Sequence, residues 1–150
     1  MNLKNVKYFI ELRRLRLPLN KILIVGSGTM ALLGLKENND IDLWVAEDVF
    51  EAMKTDPNFK PIMKEGRLFY ESKSGNIEAS NTMPCTKGGV EVYIKRAILI
   101  YGFHFMSVND LIYWKKCMRR PKDLVDLKKL LEYKRSGVVE NYLQTLQRLI

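Results

Sequence analysis

The chain has 150 residues, 47% apolar and 28% charged, a size and balance that suit one folded domain with its own core and argue against a disordered chain or a coiled coil. Its 25 Lys and Arg against 17 Asp and Glu give a formal charge of +8, which favours anionic partners such as nucleotides, RNA or phosphorylated substrates, although a solvated basic surface accounts for it equally well. Cys85 and Cys117 lie far apart in sequence and His104 is the sole histidine, which argues against a zinc site, a thioredoxin-like motif and a histidine-based catalytic system; acid–base chemistry falls to carboxylates or lysines.

Leu3, Val6 and Ile10 recur at helical spacing among basic residues, predicting an amphipathic helix over 3–16 that Pro18 stops. The first 17 residues lack the continuous apolar segment of a secretory signal. The longest apolar run, 97–106, is too short to span a bilayer. No membrane partner and a reduced, cytoplasmic setting are therefore expected.

Residues 22–25 are apolar on both faces, as in a central strand covered by helices on each side. Gly26-Ser27-Gly28 follows, then a short helix over 29–35. Residues 40–45 alternate, placing Ile41, Leu43 and Val45 on one face and Asp40, Asp42 and Trp44 on the other. A helix is expected over 47–54, a loop bracketed by Pro57 and Pro61, and hairpin strands at 67–71 and 77–79. After Gly88-Gly89, residues 90–94 read as another alternating strand, and 97–105 as strand or loop. Ser107 with Asp110 resembles a capping box for a helix to about Met118. Pro121 opens a helix to about Lys134 with Leu124, Leu127 and Leu131 as its buried stripe. Val139, Tyr142, Leu143 and Leu146 give a terminal helix.

The glycine turn allows close backbone approach to a ligand, and helical N–H groups after it attract phosphate. Gly26-Ser27-Gly28-Thr29-Met30-Ala31 also fits the G-x-G-x-x-A dinucleotide fingerprint. That alternative wants one acidic residue closing the second strand, whereas Asp40 and Asp42 open it. Two carboxylates at i and i+2 on a strand project the same way, about 6–7 Å apart, which suits shared coordination of two Mg²⁺ ions. A buried strand makes unpaired acids costly, and a metal is a good partner for them. Glu91 in Val90-Glu91-Val92 is the first choice for a third carboxylate, Glu78 in Ile77-Glu78-Ala79 the second, and Glu71 the third.

Two blocks of sequence carry a resemblance. One runs from Ile24-Val25-Gly26-Ser27-Gly28 through Asp40-Ile41-Asp42-Leu43. The other is Ser107-Val108-Asn109-Asp110-Leu111 with Lys115 and Lys122-Asp123-Leu124-Val125-Asp126-Leu127. Together they resemble the DNA polymerase beta-like nucleotidyltransferase superfamily, and within it the small bacterial and archaeal members related to abortive-infection (AbiEii-type) toxin nucleotidyltransferases. The resemblance implies an α/β (α+β) fold with a mixed sheet, a core over about 18–105 and C-terminal helices over about 107–149 packed on it as a single domain. It implies transfer of a nucleoside monophosphate from a nucleoside triphosphate to an acceptor hydroxyl, releasing pyrophosphate, with Mg²⁺ or Mn²⁺ as cofactor. Gly26, Ser27 and Gly28 would hold the triphosphate, Asp40, Asp42 and Glu91 the metal, and Glu91 would help deprotonate the acceptor. Lys115 and Lys122 would reach the phosphates from nearby helices, a helix-surface ion pair being the competing reading for both. The acceptor (RNA or tRNA, protein or a small molecule), a cognate partner protein and the oligomeric state stay open. So does a non-catalytic nucleotide- or RNA-binding descendant, as in a toxin–antitoxin pair. Residues 36–39 read Lys-Glu-Asn-Asn, without the Arg and the Ser or Thr usual in close relatives.

Overall fold

A computed structural model of the chain describes residues 3–136; the terminal helix expected over Val139, Tyr142, Leu143 and Leu146 lies outside the described residues. Helix α1 (Leu3–Arg14) leads through a 3-10 turn to β1 (Ile22–Val25), α2 (Gly28–Leu32), β2 (Ile41–Val45) and α3 (Glu47–Met53). Strands β3 (Phe59–Lys64), β4 (Arg67–Ser72) and β5 (Ile77–Ser80) follow, then α4 (Val90–Lys95), the hairpin β6 (Ile98–Ile100) and β7 (Phe103–Phe105), α5 (Val108–Met118) and α6 (Pro121–Arg135). The fold is mixed α+β, with one seven-stranded sheet in the order β3-β4-β5-β2-β1-β7-β6 flanked by helices. Parallel pairings join β1 to β7 and β2 to β5, and the other strand pairs are antiparallel.

Strand alternation sorts the core into two layers. Ile22, Ile24, Ile41, Leu43 and Val45 face a layer completed by Phe9 and Leu12 of α1 and Val49, Phe50 and Met53 of α3. Leu23, Val25 and Trp44 face the other, built with Met30, Val90, Tyr93, Leu111, Trp114 and Leu130. Asp42, between Ile41 and Leu43, is thereby fixed on the second face, under α5 and α6.

Four expectations are corrected. Residues 90–94 are helical, because Val90 and Tyr93 are both buried at i, i+3 spacing while Glu91 is exposed. Residues 59–64, placed in a loop because of Pro61, form β3; it is an edge strand, where a residue without an N–H is tolerated. In α6 Leu124 is 46% exposed, and the buried stripe is Asp123, Asp126 and Leu130, with Leu127 and Leu131 packed beside it. Cys85 and Cys117, 32 positions apart, are joined by a disulfide that ties the segment before α4 to α5, so the expectation of reduced thiols does not hold. The ambiguous stretch 97–105 is the β6–β7 hairpin, turned at Tyr101-Gly102 with positive φ at both residues, as a two-residue type I′ turn requires. Ser107 Oγ accepts the Asp110 N–H at 3.1 Å, whereas the Asp110 carboxylate takes Arg96 Nε at 2.7 Å, so only half of the capping box forms. Among the described residues no helix is long and apolar enough to cross a membrane.

Candidate functional site

The glycine turn and Asp42 meet. β1 and β2 pair antiparallel with Val25 opposite Asp42, so the turn leaving β1 lies over the Asp42 side chain. Gly26 has φ +66°, and a Cβ there would sit 3.1 Å from Asp42 Oδ2; both the left-handed backbone and the close approach call for glycine. The same antiparallel pairing removes the dinucleotide alternative, whose strand–helix–strand unit needs parallel strands.

The carboxylate that the sheet brings beside Asp42 is Glu78, not Glu91. Asp42 and Glu78 are register partners on the adjacent parallel strands β2 and β5, one strand spacing of about 4.8 Å apart and on one face of the sheet. Glu71 stands opposite Glu78 on β4 and pairs with Lys60 at 3.5 Å. Glu91 instead lies on α4, in a separate recess with Glu47, Asn81 and the end of β2 at Val45. Asp40 precedes β2 and is exposed.

Asp42 carries the strongest electrostatic signature. Burial, then the neighbouring charges of Asp40 and Glu78, push its carboxyl from 3.8 up to about 7. Burial and Glu78 also push Asp40 upward. Lys64 and Lys122 act in the opposite sense on both aspartates. Among the described residues none gives the Asp42 carboxylate a hydrogen bond or an ion pair, while Glu78 takes the Lys64 ammonium. Around Asp42 and Glu78 a cavity of about 300 Å³ is rimmed by Lys64, Arg67, Arg120 and Lys122, with Phe69 and Trp114 in its walls. Arg67 is held by Ser80 Oγ and Thr82 Oγ1, each at 3.0 Å, and Arg120 by Asp123. Among the described residues Lys122 makes no ion pair, and its charge acts on both aspartates.

The remaining expected ligands fare differently. Ser27 donates to Oδ1 of buried Asn38 at 3.0 Å, which gives the 36–39 segment a role in bracing the turn. Gly28 is buried; its Cβ would come 2.3 Å from Ile24 Cγ2, so it is there for helix–strand packing and not for a ligand. Lys115 is neither a phosphate contact nor a surface residue. Its ammonium is 4% exposed and sits 3.1 Å from Asp123 Oδ1 and 2.9 Å from Asp126 Oδ2, with Lys36 also on Asp126 at 3.1 Å. Lys64, Arg67 and Arg120 were missed by sequence reasoning. Their only signal is position: Lys64 and Arg67 flank the Glu65-Gly66 turn, and Arg120 precedes Pro121, so only the fold brings them together.

Asp40, Asp42 and Glu78 are hard oxygen donors of the kind Mg²⁺ prefers, and their crowding raises the cost of ionisation that a divalent cation would offset. That donor set fits the metal in donor chemistry, although among the described residues no three His, Cys, Asp or Glu side chains are gathered closely enough to hold an ion. Fold and site together define a mixed α+β protein with a carboxylate-floored, cation-rimmed cavity beneath a glycine turn. No protein-family model matches the sequence, and no curated protein or solved structure matches it.

Proposed function

We propose that the chain is a metal-dependent nucleotidyltransferase using this cavity. The observation that carries the reading is Asp42: a carboxyl without a donor among the described residues, crowded by Asp40 and Glu78 and raised to about 7, under a glycine turn and facing four cationic side chains. A carboxyl cluster of this kind costs stability unless it has a task.

In this mechanism Lys64, Arg67, Arg120 and Lys122 neutralise the triphosphate, and Gly26 lets the backbone come within hydrogen-bonding reach of it. Asp42 and Glu78, with Asp40, would hold Mg²⁺ or Mn²⁺, which supplies Lewis-acid neutralisation of the charge that builds on the phosphates. The acceptor oxygen forms its bond to the α-phosphorus as the bond to the bridging oxygen breaks and pyrophosphate leaves. Asp40, exposed and with its pKa raised by burial and by Glu78, would take the acceptor's proton in this reading. Phe69 and Trp114 offer flat apolar walls for the base.

The test is transfer of label from each α-³²P triphosphate in Mg²⁺ to RNA, protein or small hydroxylated acceptors. Loss of transfer in Asp42→Asn and Glu78→Gln, with Glu91→Gln unaffected, supports the assignment; undiminished transfer in Asp42→Asn refutes it. A second reading is favoured by one contact, the Lys64 ammonium on Glu78, which satisfies one carboxylate without a metal. The cation rim would then serve a non-catalytic nucleotide- or RNA-binding site, and salt-sensitive RNA binding would survive loss of Asp40 and Asp42.

A further inference from the structure

On the sheet face opposite the carboxylates, α1 covers β1 and the β6–β7 hairpin incompletely. It buries Phe9 and Leu12 but leaves Val6 36% and Ile10 47% exposed beside a cleft of about 800 Å³. The floor is Phe9, Ile100, Phe103 and Phe105, with Phe9 packed on both other rings at 5.8 and 5.6 Å between centroids. The lining positions on α1 and just after it run from Val6 to Arg16, about three helical turns or 15 Å. The cleft is therefore elongated and open along one side.

Its far end is cationic. Arg13, Arg14 and Arg16 all line it, and none has a carboxylate partner among the described residues. Arg13 lies over the Phe103 ring at 4.9 Å and donates to the Tyr101 carbonyl, which fixes its guanidinium at the cleft wall. The only acid of α1, Glu11, is turned to the other flank, where it accepts from Ser74 and from Asn76 Nδ2 at 3.1 Å. Three arginines without a carboxylate among the described residues, at the end of an apolar trough, form a complementary surface for an elongated, apolar object that is acidic at one end. Enclosed pockets suit small ligands; an open trough of this length beside an existing helix suits another helix.

We propose that this cleft seats an amphipathic helix of a partner protein, its apolar stripe on the exposed Val6, Ile10 and Tyr101 and its acidic end on Arg13, Arg14 and Arg16. The site is independent of the carboxylate cavity and stands whether or not the chain transfers nucleotides. The test selects binders from a displayed library of helix-forming peptides about four turns long. Selected peptides are expected to carry apolar residues at i, i+3 or i+4 and i+7 and Asp or Glu clustered at one end. Synthetic copies should bind at least about 10-fold more weakly to Ile10→Asp and to Arg14→Glu/Arg16→Glu. Replacing the peptide acids by Lys should restore binding to the double variant. These side chains are exposed, and unchanged thermal melts will show that the variants fold. Selection of no such pattern, or equal binding to the variants, overturns the proposal. So does displacement of the peptide by self-association of the chain, or by a micromolar long-chain carboxylate such as dodecanoate, which would make the cleft a lipid site.

Discussion

Replacing Asp42 by Asn should make the protein more stable at pH 8 while removing its proposed activity. In the folded state the carboxyl is held at about 7 instead of 3.8, principally by burial and then by Asp40 and Glu78. A displacement of that size corresponds to roughly 4 kcal/mol against the ionised form. Because Asp42 borders an open cavity, solvent relaxation reduces the figure to about 2–4 kcal/mol. The folded state binds this proton more tightly than the unfolded chain, so the contribution of Asp42 is most favourable below about 3.8 and is lost as pH rises through about 7. The difference in stability between Asp42→Asn and the unmodified protein should be small below about pH 4, grow in favour of the variant as pH rises from there through about 7, and level off by pH 8. At this chain length it reads as a Tm gain on the order of 5–10 °C. Thermal unfolding of both proteins across that range, in chelator, makes the comparison, and subtraction cancels the contributions common to both. Added Mg²⁺ should flatten the pH dependence of the unmodified protein and leave Asp42→Asn unchanged. A variant less stable than the unmodified protein at pH 8, or a parallel pH profile, would show that Asp42 is satisfied and would remove the basis of the site assignment.

Truncating Lys115 to Met should cost about 3–5 kcal/mol in urea unfolding, since it leaves the buried Asp123 and Asp126 charges without their shared cation. Hydrogen bonds from Arg120 and Lys115 outweigh burial and hold Asp123 down at about 2, so its stabilisation is present above 3.8 and disappears as pH falls through about 2; acid unfolding of Asp123→Asn should lose that component. Gly26→Ala should destabilise by about 1–2 kcal/mol through its left-handed backbone, and titration should show weakened nucleotide binding as the new methyl crowds Asp42. Opening the Cys85–Cys117 disulfide with dithiothreitol should lower stability by about 3–4 kcal/mol for a loop of this length, with Cys85→Ser/Cys117→Ser indifferent to the reagent.

Much of the layer plan is written in local patterns. The run Ile22-Leu23-Ile24-Val25, rich in β-branched residues and closed by a glycine turn, reads as a strand covered on both faces, and the alternation from Asp40 to Val45 decides which way Asp42 points, because side chains on a strand project to opposite faces in turn. Gly26 was legible for the same reason: a turn between two such strands needs a residue free to adopt positive φ. Pro121 and Ser107 marked helix starts through their own backbone and hydroxyl chemistry. Short segments were not decided locally. Val90-Glu91-Val92-Tyr93 satisfies period two and period three to four equally well, and burial of Val90 with Tyr93 against Trp44 selected the helix.

The composition of the site was a tertiary decision. Ile77-Glu78-Ala79 and Val90-Glu91-Val92 carry the same apolar–acid–apolar signal, and only the parallel pairing of β5 with β2 places Glu78, and not Glu91, beside Asp42. The cations came from a hairpin tip and an interhelical junction distant in sequence, where nothing local distinguishes them from surface lysines and arginines. Lys115, Asp123 and Asp126 look like solvated helix residues until α5 packs on α6 and makes them one buried ionic cluster. Sequence by itself determined the facing of β1 and β2, the positive-φ turn at Gly26 and the starts of α5 and α6, since those depend on neighbours along the chain. Which charges meet depends on strand order and helix packing, and these are settled only when the whole core closes.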